Sequence, residues 1–511
     1  MVLKFYNTLT RRKDVFKPLK EGEVRIYSCG PTVYDYPHVG NLRAFVFYDL
    51  LRRYLKYRGF RVKHVMNITD VDDKTIRNSR KEGLTLKSFT EKYTKIFFDD
   101  LKKINVEKFE VYPRATEHIE DMIELIKILL KKGFAYRGRD GSIYYKISKF
   151  KEYGKLSKLD ISSLRAGARV SQDEYTKEEA RDFALWKAWN PDDGNVFWET
   201  EIGKGRPGWH IECSAMSMKY LGPTIDIHTG GVDLIFPHHE NEIAQSEAAT
   251  GKPFVRYWLH NEHVMVEGKK MSKSLGNYLT LEDLMKRGHD PLAVRYALLS
   301  THYRSKLNIT DRALWSAKQS IEKIRNFVDL LKEIDGGREN KRVDILVKKV
   351  QMEFREAMDD DLDIGSALAG IFDFIKEINK LIDKKQIGKE NARKCLGVMK
   401  RFDKVLGILL PEREISPELL GRVFTLLVDL HETLKKRNRE LGEKLEGMLK
   451  GLRGKEVDPE HFEKLIEVVI KIREELRKRR MFDVSDKIRS DLREMGIILE
   501  DKEKGARWRL V

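Results

Sequence analysis

The chain has 511 residues, 41% hydrophobic and 35% charged, and its 98 Lys and Arg against 81 Asp and Glu leave a formal net charge of +17. Such a length suits three or four globular domains, and so basic a balance suits a polyanionic partner, nucleic acid first. The sequence has no long uncharged apolar run, which excludes a membrane span, its opening MVLKFYNTLTRRKDVFKPLK lacks the apolar core of a signal peptide, and its three cysteines exclude a disulfide framework, so a reduced, cytoplasmic protein is expected.

EVRIYSCG reads as a strand ending at the turn of Gly30 and Pro31. Leu42, Phe45, Val46, Leu50 and Tyr54 follow at helical spacing, up to a stop at Gly59. FRVKHVMNI is a second strand, running into the acidic loop TDVDD. Strand, helix and strand in close succession form a βαβ unit and imply a parallel sheet. Ligands of such a sheet lie beyond the carboxyl ends of its strands, where Cys29 and Thr69 both fall. Between the first strand and its helix, GPTVYDYPHVGNLRAF sets His38, Gly40 and Asn41 at the helix start. Free N–H groups and the positive dipole end suit phosphate there, and Gly40 lets a nucleotide approach the backbone. An ordinary βα turn with a capping Asn is the competing reading.

From about Val111 to Gly205 the pattern is mixed and reads as a connective insertion. Sheet-like segments resume at TIDIHTGG and HVMVEG. Between them PHHENEIAQSE, Pro237 to Glu247, crowds His238, His239, Glu240 and Glu242 into a helical pattern. Residues four apart share a helix face, so His238 and Glu242 can point at one spot, and both types are ordinary zinc ligands. His239 with Glu242, three apart, is nearly as good a pair, and a solvated polar first turn, favourable against the helix dipole, explains the same residues without a metal.

VEGKKMSKSLGNYLTLEDL alternates Lys269, Lys270 and Lys273 with Ser272 and Ser274. Ammonium and hydroxyl groups so spaced can grip a triphosphate and neutralise a leaving pyrophosphate, although a solvated basic loop has the same composition. Thr280 to Asp283 resembles a capping box at the next helix. After Asp311 the chain reads as amphipathic helix, with breaks at 335–337 and 451–454. The last block is strongly basic and ends in KGARWRLV, where Trp508 stands between Arg507 and Arg509, a set able to stack on an unpaired base and hold adjacent phosphates. Cys395, in NARKCLGVM, follows no ligand spacing and is expected to be a small buried side chain.

PHVGN after the first strand, with KMSKS far downstream, resembles the paired nucleotide signatures of class I aminoacyl-tRNA synthetases. Lys270 to Ser274 matches its pattern in full, whereas the first motif ends in Asn41 where that class has His. An Asn can donate to a phosphate but cannot carry a proton, so positioning and charge stabilisation are expected there. Within the class, YSCGPTVYDYPHVGN, NITDVDDK, GRPGWHIECSAMS and GGVDLIFPHHENEIAQSE resemble cysteinyl-tRNA synthetases. The likeness runs from FYNTLTRRKDVFKP to MGIILEDKEKGARWR and is weakest between about Gly407 and Pro459.

The resemblance implies an α/β chain: a Rossmann-like parallel-sheet catalytic domain over 1–110 and 206–310, a connective insertion over 111–205, a helical bundle over 311–450 and an anticodon-binding region over 451–511. It implies one zinc ion on Cys29, Cys213, His238 and Glu242, selecting His238 over His239, which is left an outer or reaction-site role. It implies ATP, with magnesium, on His38, Gly40, Asn41, Lys270 and Lys273, and L-cysteine held by Thr69, Trp209 and Asp233. The partner would be tRNA(Cys), with Trp508 and its flanking Arg507 and Arg509 at the anticodon. Cysteine would be activated to cysteinyl-adenylate and passed to the terminal ribose of tRNA, zinc telling thiolate from hydroxyl. The role of His228 is left open, a lone strand histidine being more often structural. Two other readings are a cysteine ligase acting on a small amine and an inactive tRNA-binding paralogue. The basic helical C-terminus weighs against the first, and the presence of Lys273 and all four ligands against the second.

Overall fold

The computed structural model describes residues 2–158, 182–271, 277–409, 417–450, 459–501 and 506–510. The chain divides into two compact units, Met1–Leu409 and Leu410–Val511.

The first unit is built on a four-stranded parallel sheet. β1 (Glu23–Ser28) is followed by α1 (Val39–Tyr57) and β2 (Arg61–Met66), which is the βαβ unit read from the sequence. Much further along, α2 (Trp209–Leu221) leads into β3 (Ile225–Gly231), and α3 (Glu240–Thr250) leads into β4 (Val255–Asn261). The order across the sheet is β4-β3-β1-β2, all neighbours parallel. β3 is buried along nearly its whole length, as a strand covered on both faces must be. β4 escaped the sequence reading, since Arg256, His260 and Asn261 interrupt its apolar run, yet all but Arg256 are buried. Because the chain leaves β1 towards β2 on one side and β3 lies on the other, the crevice at their carboxyl ends is the natural ligand position.

α1 is buried around most of its circumference, with Leu42, Phe45, Val46 and Leu50 in one apolar core with Val350, Phe354 and Phe402. Those last residues come from the helices that follow the sheet: α4 (Asp311–Lys332), α5 (Lys341–Asp359), α6 (Ile364–Asp383) and α7 (Lys389–Leu406). The Gly-containing break at 335–337 falls between α4 and α5. The joint is also ionic. Buried Asp49 accepts from Arg53 at 2.7 Å and Arg295 at 2.6 Å, and Arg295 donates onward to the carbonyls of Ile104 and Leu406.

The connective segment contains an antiparallel sheet of Ala135–Arg137, Ile143–Tyr145, Phe183–Ala188 and Gly205–Pro207, in that order. Most of these strands have three residues, too short to register an alternating pattern. Residues 159–181 lie outside the described residues.

The second unit holds α8 (Pro417–Arg437), α9 (Arg439–Lys450), α10 (Pro459–Lys478) and α11 (Phe482–Glu494), then a hairpin of Ile497–Asp501 with Ala506–Leu510. Leu427, Leu434 and Leu445 share its core with Phe462, Ile466 and Ile488. The helices of 417–450, grouped with 311–409 in the sequence reading, therefore pack with those that follow them. The joint expected at 451–454 lies outside the described residues. Among the described residues, no helix is long and apolar enough to cross a membrane.

Candidate functional site

Cys29 is the first residue beyond β1, its N–H donating to the Thr229 carbonyl at 3.2 Å. Cys213 stands inside α2. After β3 the chain turns through Val232–Leu234 and a wide turn, Ile235–His239, before α3 begins at Glu240. That turn swings His238 and His239 inward, and Glu242 follows in the first turn of α3.

The ligand atoms of Cys29, Cys213, His238 and Glu242 all lie within 4.8 Å of one another, and all four residues are buried. His238 Nε2 is 3.0 Å from Glu242 Oε1, and Cys29 Sγ is 3.9 Å from the same oxygen. A tetrahedron with bonds of 2.0–2.3 Å has edges of about 3.3–3.8 Å, so the donor set closes on an ion with small adjustments. Glu240 points elsewhere: its carboxylate accepts the N–H groups of Gly154, Leu156 and Ser157 and anchors the connective segment. Of the two carboxylates crowded into PHHENE, one belongs to the cluster and one to the scaffold.

The electrostatics fit a cation. Burial alone would raise the Glu242 carboxyl, but the imidazoles of His228 and His238 hold it down at about 2. His238, which burial would lower, is pushed up to about 10 by Cys213 and Glu242. The Cys213 thiol falls to about 6, chiefly through its hydrogen bond with Cys29, while burial and Cys213 drive Cys29 well up. A divalent metal would displace the protons this anionic set shares.

Several groups orient these donors. His210 Nδ1 lies 2.9 Å from His238 Nδ1, which directs His238 Nε2 at Glu242. Gln245 donates to the His210 carbonyl at 2.9 Å. His228 Nε2 meets the second carboxylate oxygen of Glu242 at 2.9 Å, so the strand histidine whose role the sequence left open touches a candidate ligand. His239 Nε2 is 3.2 Å from Cys29 Sγ, and its Nδ1 is tied at 2.8 Å to His260, which in turn meets Thr8 Oγ1 at 2.7 Å. The sequence reading omitted His210, His260, Gln245 and Glu212. His210 had a signal, standing three residues before Cys213 on a helix, whereas His260 and Thr8 have none that is local.

Around this cluster stand the residues expected to hold the amino acid. Thr69 is buried beyond β2, donating to Glu212 Oε2 at 3.0 Å and accepting from Asn67 at 3.0 Å. Glu212 is driven well up, first by burial and then by Cys213. The Trp209 ring lies 4.2 Å from that of His238. Asp233 is exposed in the turn after β3.

At the start of α1, His38 is the cap. Its Nδ1 accepts the Asn41 N–H at 3.1 Å while Asn41 Oδ1 accepts the His38 N–H at 3.2 Å, a reciprocal box in place of a simple capping Asn. A Cβ on Gly40 would stand 2.9 Å from the His38 ring and 3.3 Å from Met271. Val39 donates to the Leu279 carbonyl at 2.9 Å, and the His38 ring meets Tyr278 edge-on at 5.1 Å. The two sequence signatures thus meet, far apart in sequence as they are. Lys270 is exposed on the short strand Lys269–Lys270, its carbonyl accepting from Asn277 at 3.1 Å. Lys273, with Ser272 and Ser274, lies outside the described residues. Thr280 caps the following helix in a box with Asp283, as read.

In the second unit Trp508 is half-buried, its ring edge-on to Phe462 at 5.6 Å, so it also packs on the core. The side chains of Arg507 and Arg509 lie outside the described residues. Cys395 is buried as expected, and burial pushes its thiol up to about 12.

Residues 15–319 match the family described as tRNA synthetases class I (C) catalytic domain, and residues 353–410 match the DALR domain. A cysteine–tRNA ligase of Protochlamydia amoebophila (strain UWE25) is 49% identical over 445 residues, 86% of this chain and 91% of that protein. Another, of Koribacter versatilis (strain Ellin345), is 43% identical over 511 residues, spanning both chains entirely. In fold, Mycobacterium tuberculosis methionyl-tRNA synthetase bound by methionyl-adenylate superposes with a TM-score of 0.56 at 14% identity, over 79% of this chain and 94% of that one.

Proposed function

The chain belongs to the cysteine–tRNA ligase family of class I synthetases, and from that membership we propose how its residues divide the joining of cysteine to tRNA(Cys) with ATP. Cys29, Cys213, His238 and Glu242 hold one zinc ion. When bound, zinc prefers a thiolate to a hydroxyl and so reads the atom by which cysteine differs from serine. An apolar pocket grades a methylene-sized difference by only about 10- to 200-fold. The donor set that carries this reading is the buried group of two thiols, an imidazole and a carboxylate at the carboxyl end of the sheet, beside Thr69.

Thr69, Trp209 and Asp233 orient the amino acid. A carboxylate suits its α-ammonium, and a hydroxyl or indole N–H suits its carboxylate. His38, Gly40, Asn41, Lys270 and Lys273 receive the ATP phosphates, with magnesium arriving on the nucleotide. His38 Nδ1 accepts a backbone N–H, which leaves the ring proton on Nε2, where it can donate to phosphate. The carboxylate of cysteine attacks the α-phosphorus and pyrophosphate leaves, its charge steadied by Lys273, giving cysteinyl-adenylate. The terminal ribose hydroxyl of tRNA then takes the cysteinyl group and AMP leaves. Asn41 contributes a hydrogen bond and no proton, so positioning replaces acid catalysis at that step. Trp508, with Arg507 and Arg509, contacts the anticodon, and the protein works in the cytoplasm.

The test is cysteine-dependent exchange of pyrophosphate into ATP, followed by charging of a tRNA(Cys) transcript, with metal content measured on the same preparation. One zinc per chain and loss of selection against serine on chelation are expected. Intact selection in the stripped protein refutes the assignment of zinc.

A further inference from the structure

Arg43 lies in the second turn of α1, two residues past Asn41, and is buried. One nitrogen, Nη2, donates to the carbonyls of His302 at 3.0 Å, Tyr303 at 3.4 Å and Ser305 at 2.7 Å. One turn further along the helix, the Phe47 ring stacks flat on that of Tyr303 at 4.4 Å. Arg43 Nε and Nη1 have no hydrogen-bond partner among the described residues. Burial pulls the guanidinium down to about 10, against the opposing effect of Glu262, so it is charged at neutral pH. A buried cation with orphaned N–H groups costs stability, and a residue that only filled this space would be apolar.

The turn of 302–305 that Arg43 holds leads into the sheet beside the phosphate site. Leu307–Ile309 pairs in parallel with Val264–Val266, which pairs antiparallel with Lys269–Lys270. The Tyr303 carbonyl also takes the Glu262 N–H at 2.8 Å, and the Leu307 N–H reaches the His263 carbonyl at 3.2 Å, so turn and sheet form one piece. Asp361 grips the other side of the turn, accepting from Tyr303 Oη at 2.6 Å and Arg304 Nε at 2.8 Å. α1 thus carries His38 and Asn41 at its start and, just beyond its first turn, the anchor of the sheet that bears Lys270. We infer that Arg43 is a positioning residue for the adenylation step, fixing where Lys270 stands relative to His38 and Asn41 by way of the turn it holds. A guanidinium suits the task, being planar with donors in a fixed fork, whereas an ammonium is a point donor on a flexible stem. The inference rests on the phosphate-site reading above and adds the residue that sets its geometry.

The experiment measures cysteine-dependent pyrophosphate exchange in full-length protein carrying Arg43→Met, Lys270→Ala or both, with thermal unfolding and metal content followed on each. Arg43→Met is expected to lower kcat on the order of ten- to a hundredfold, the scale of a displacement of up to about 1 Å at reacting groups, with KM for cysteine and metal content unchanged. The double variant is the readout that a merely structural role would not move. Residues that act as a unit are not additive, so removing both is expected to cost little more than the costlier single change. Losses that multiply, or an Arg43→Met protein with native kcat whatever its unfolding temperature, overturn the inference. If Arg43→Met does not fold, Arg43→Lys takes its place, keeping the cation while losing the bridge to three carbonyls, and the same non-additivity with Lys270→Ala is required. A Lys270→Ala protein with unaltered exchange and unaltered KM for ATP refutes the phosphate-site reading of Lys270 itself, a different outcome.

Discussion

Gly30 follows Cys29, and its N–H donates to Asn67 Oδ1 at 2.9 Å, so it joins the loop after β1 to the loop after β2. A Cβ at Gly30 would stand 1.7 Å from the Asn67 carbonyl oxygen and 2.8 Å from its carbon. Both atoms are backbone, so no rotamer change relieves the contact, and reaching ordinary van der Waals distance means parting the loops by about 1.7 Å. Overpacking of this kind costs about 1–3 kcal/mol of stability. The larger effect is on the site, since Cys29 stands on one loop and Thr69 on the other. A displacement of about 1 Å at reacting groups costs on the order of a hundredfold in rate. Gly30→Ala should therefore lower kcat/KM for cysteine-dependent pyrophosphate exchange by at least about a hundredfold, with bound metal reduced. Gly397→Ala is the control: it makes the same chemical change in α7 with no atom within 4 Å of the new Cβ, and should stabilise the protein by up to about 1 kcal/mol with exchange unchanged. Urea unfolding, metal content and exchange kinetics of both variants decide the matter. A folded Gly30→Ala protein with native metal content and exchange rate would refute the reasoning.

Asp49→Ala leaves the buried Arg295 guanidinium without its carboxylate and Arg53 with only Glu107, at 3.5 Å, and should cost about 3–5 kcal/mol in urea unfolding. Against burial, which alone would raise it, Arg295 and then Arg53 hold the Asp49 carboxyl below its usual range. Its stabilisation is thus complete above about pH 4, the unfolded value, and lost as pH falls through the lower folded one, so the gap between parent and variant should narrow on acidification, and a gap that widens contradicts the assignment. Glu240→Gln should retain one metal per chain while Glu242→Gln loses it, read by elemental analysis, because Glu240 is turned to the backbone N–H groups of Gly154, Leu156 and Ser157. Trp508→Ala should leave pyrophosphate exchange unchanged and reduce kcat/KM for tRNA by roughly 5- to 150-fold, the range of one base stack of about 1–3 kcal/mol, and unaltered tRNA kinetics would remove Trp508 from the anticodon contact.

Local periodicity determined the βαβ start of the chain and the helical character after Asp311, because a repeat of 3.6 or 2 is written wherever one face of an element is buried. Motif spacing, with the resemblance it carries, singled out Cys29, Cys213, His238 and Glu242, whose ligand atoms the structure brings within 4.8 Å of one another. Spacing alone could not choose between His238 and His239, and the structure explains why: both lie in the wide turn of Ile235–His239, where regular helical arithmetic does not hold, and both bring Nε2 towards Glu242, at 3.0 and 3.9 Å. The outer contacts, His260 from β4 and Thr8 from near the N-terminus, were illegible for a different reason, since a hydrogen bond across 252 residues leaves no period in the sequence. The partners of the helices of 417–450 were hidden likewise, because an amphipathic pattern shows that a helix has an apolar face but not which helix covers it. Only the tertiary structure decides those pairings, through packing and hydrogen bonds between segments that are neighbours in space alone.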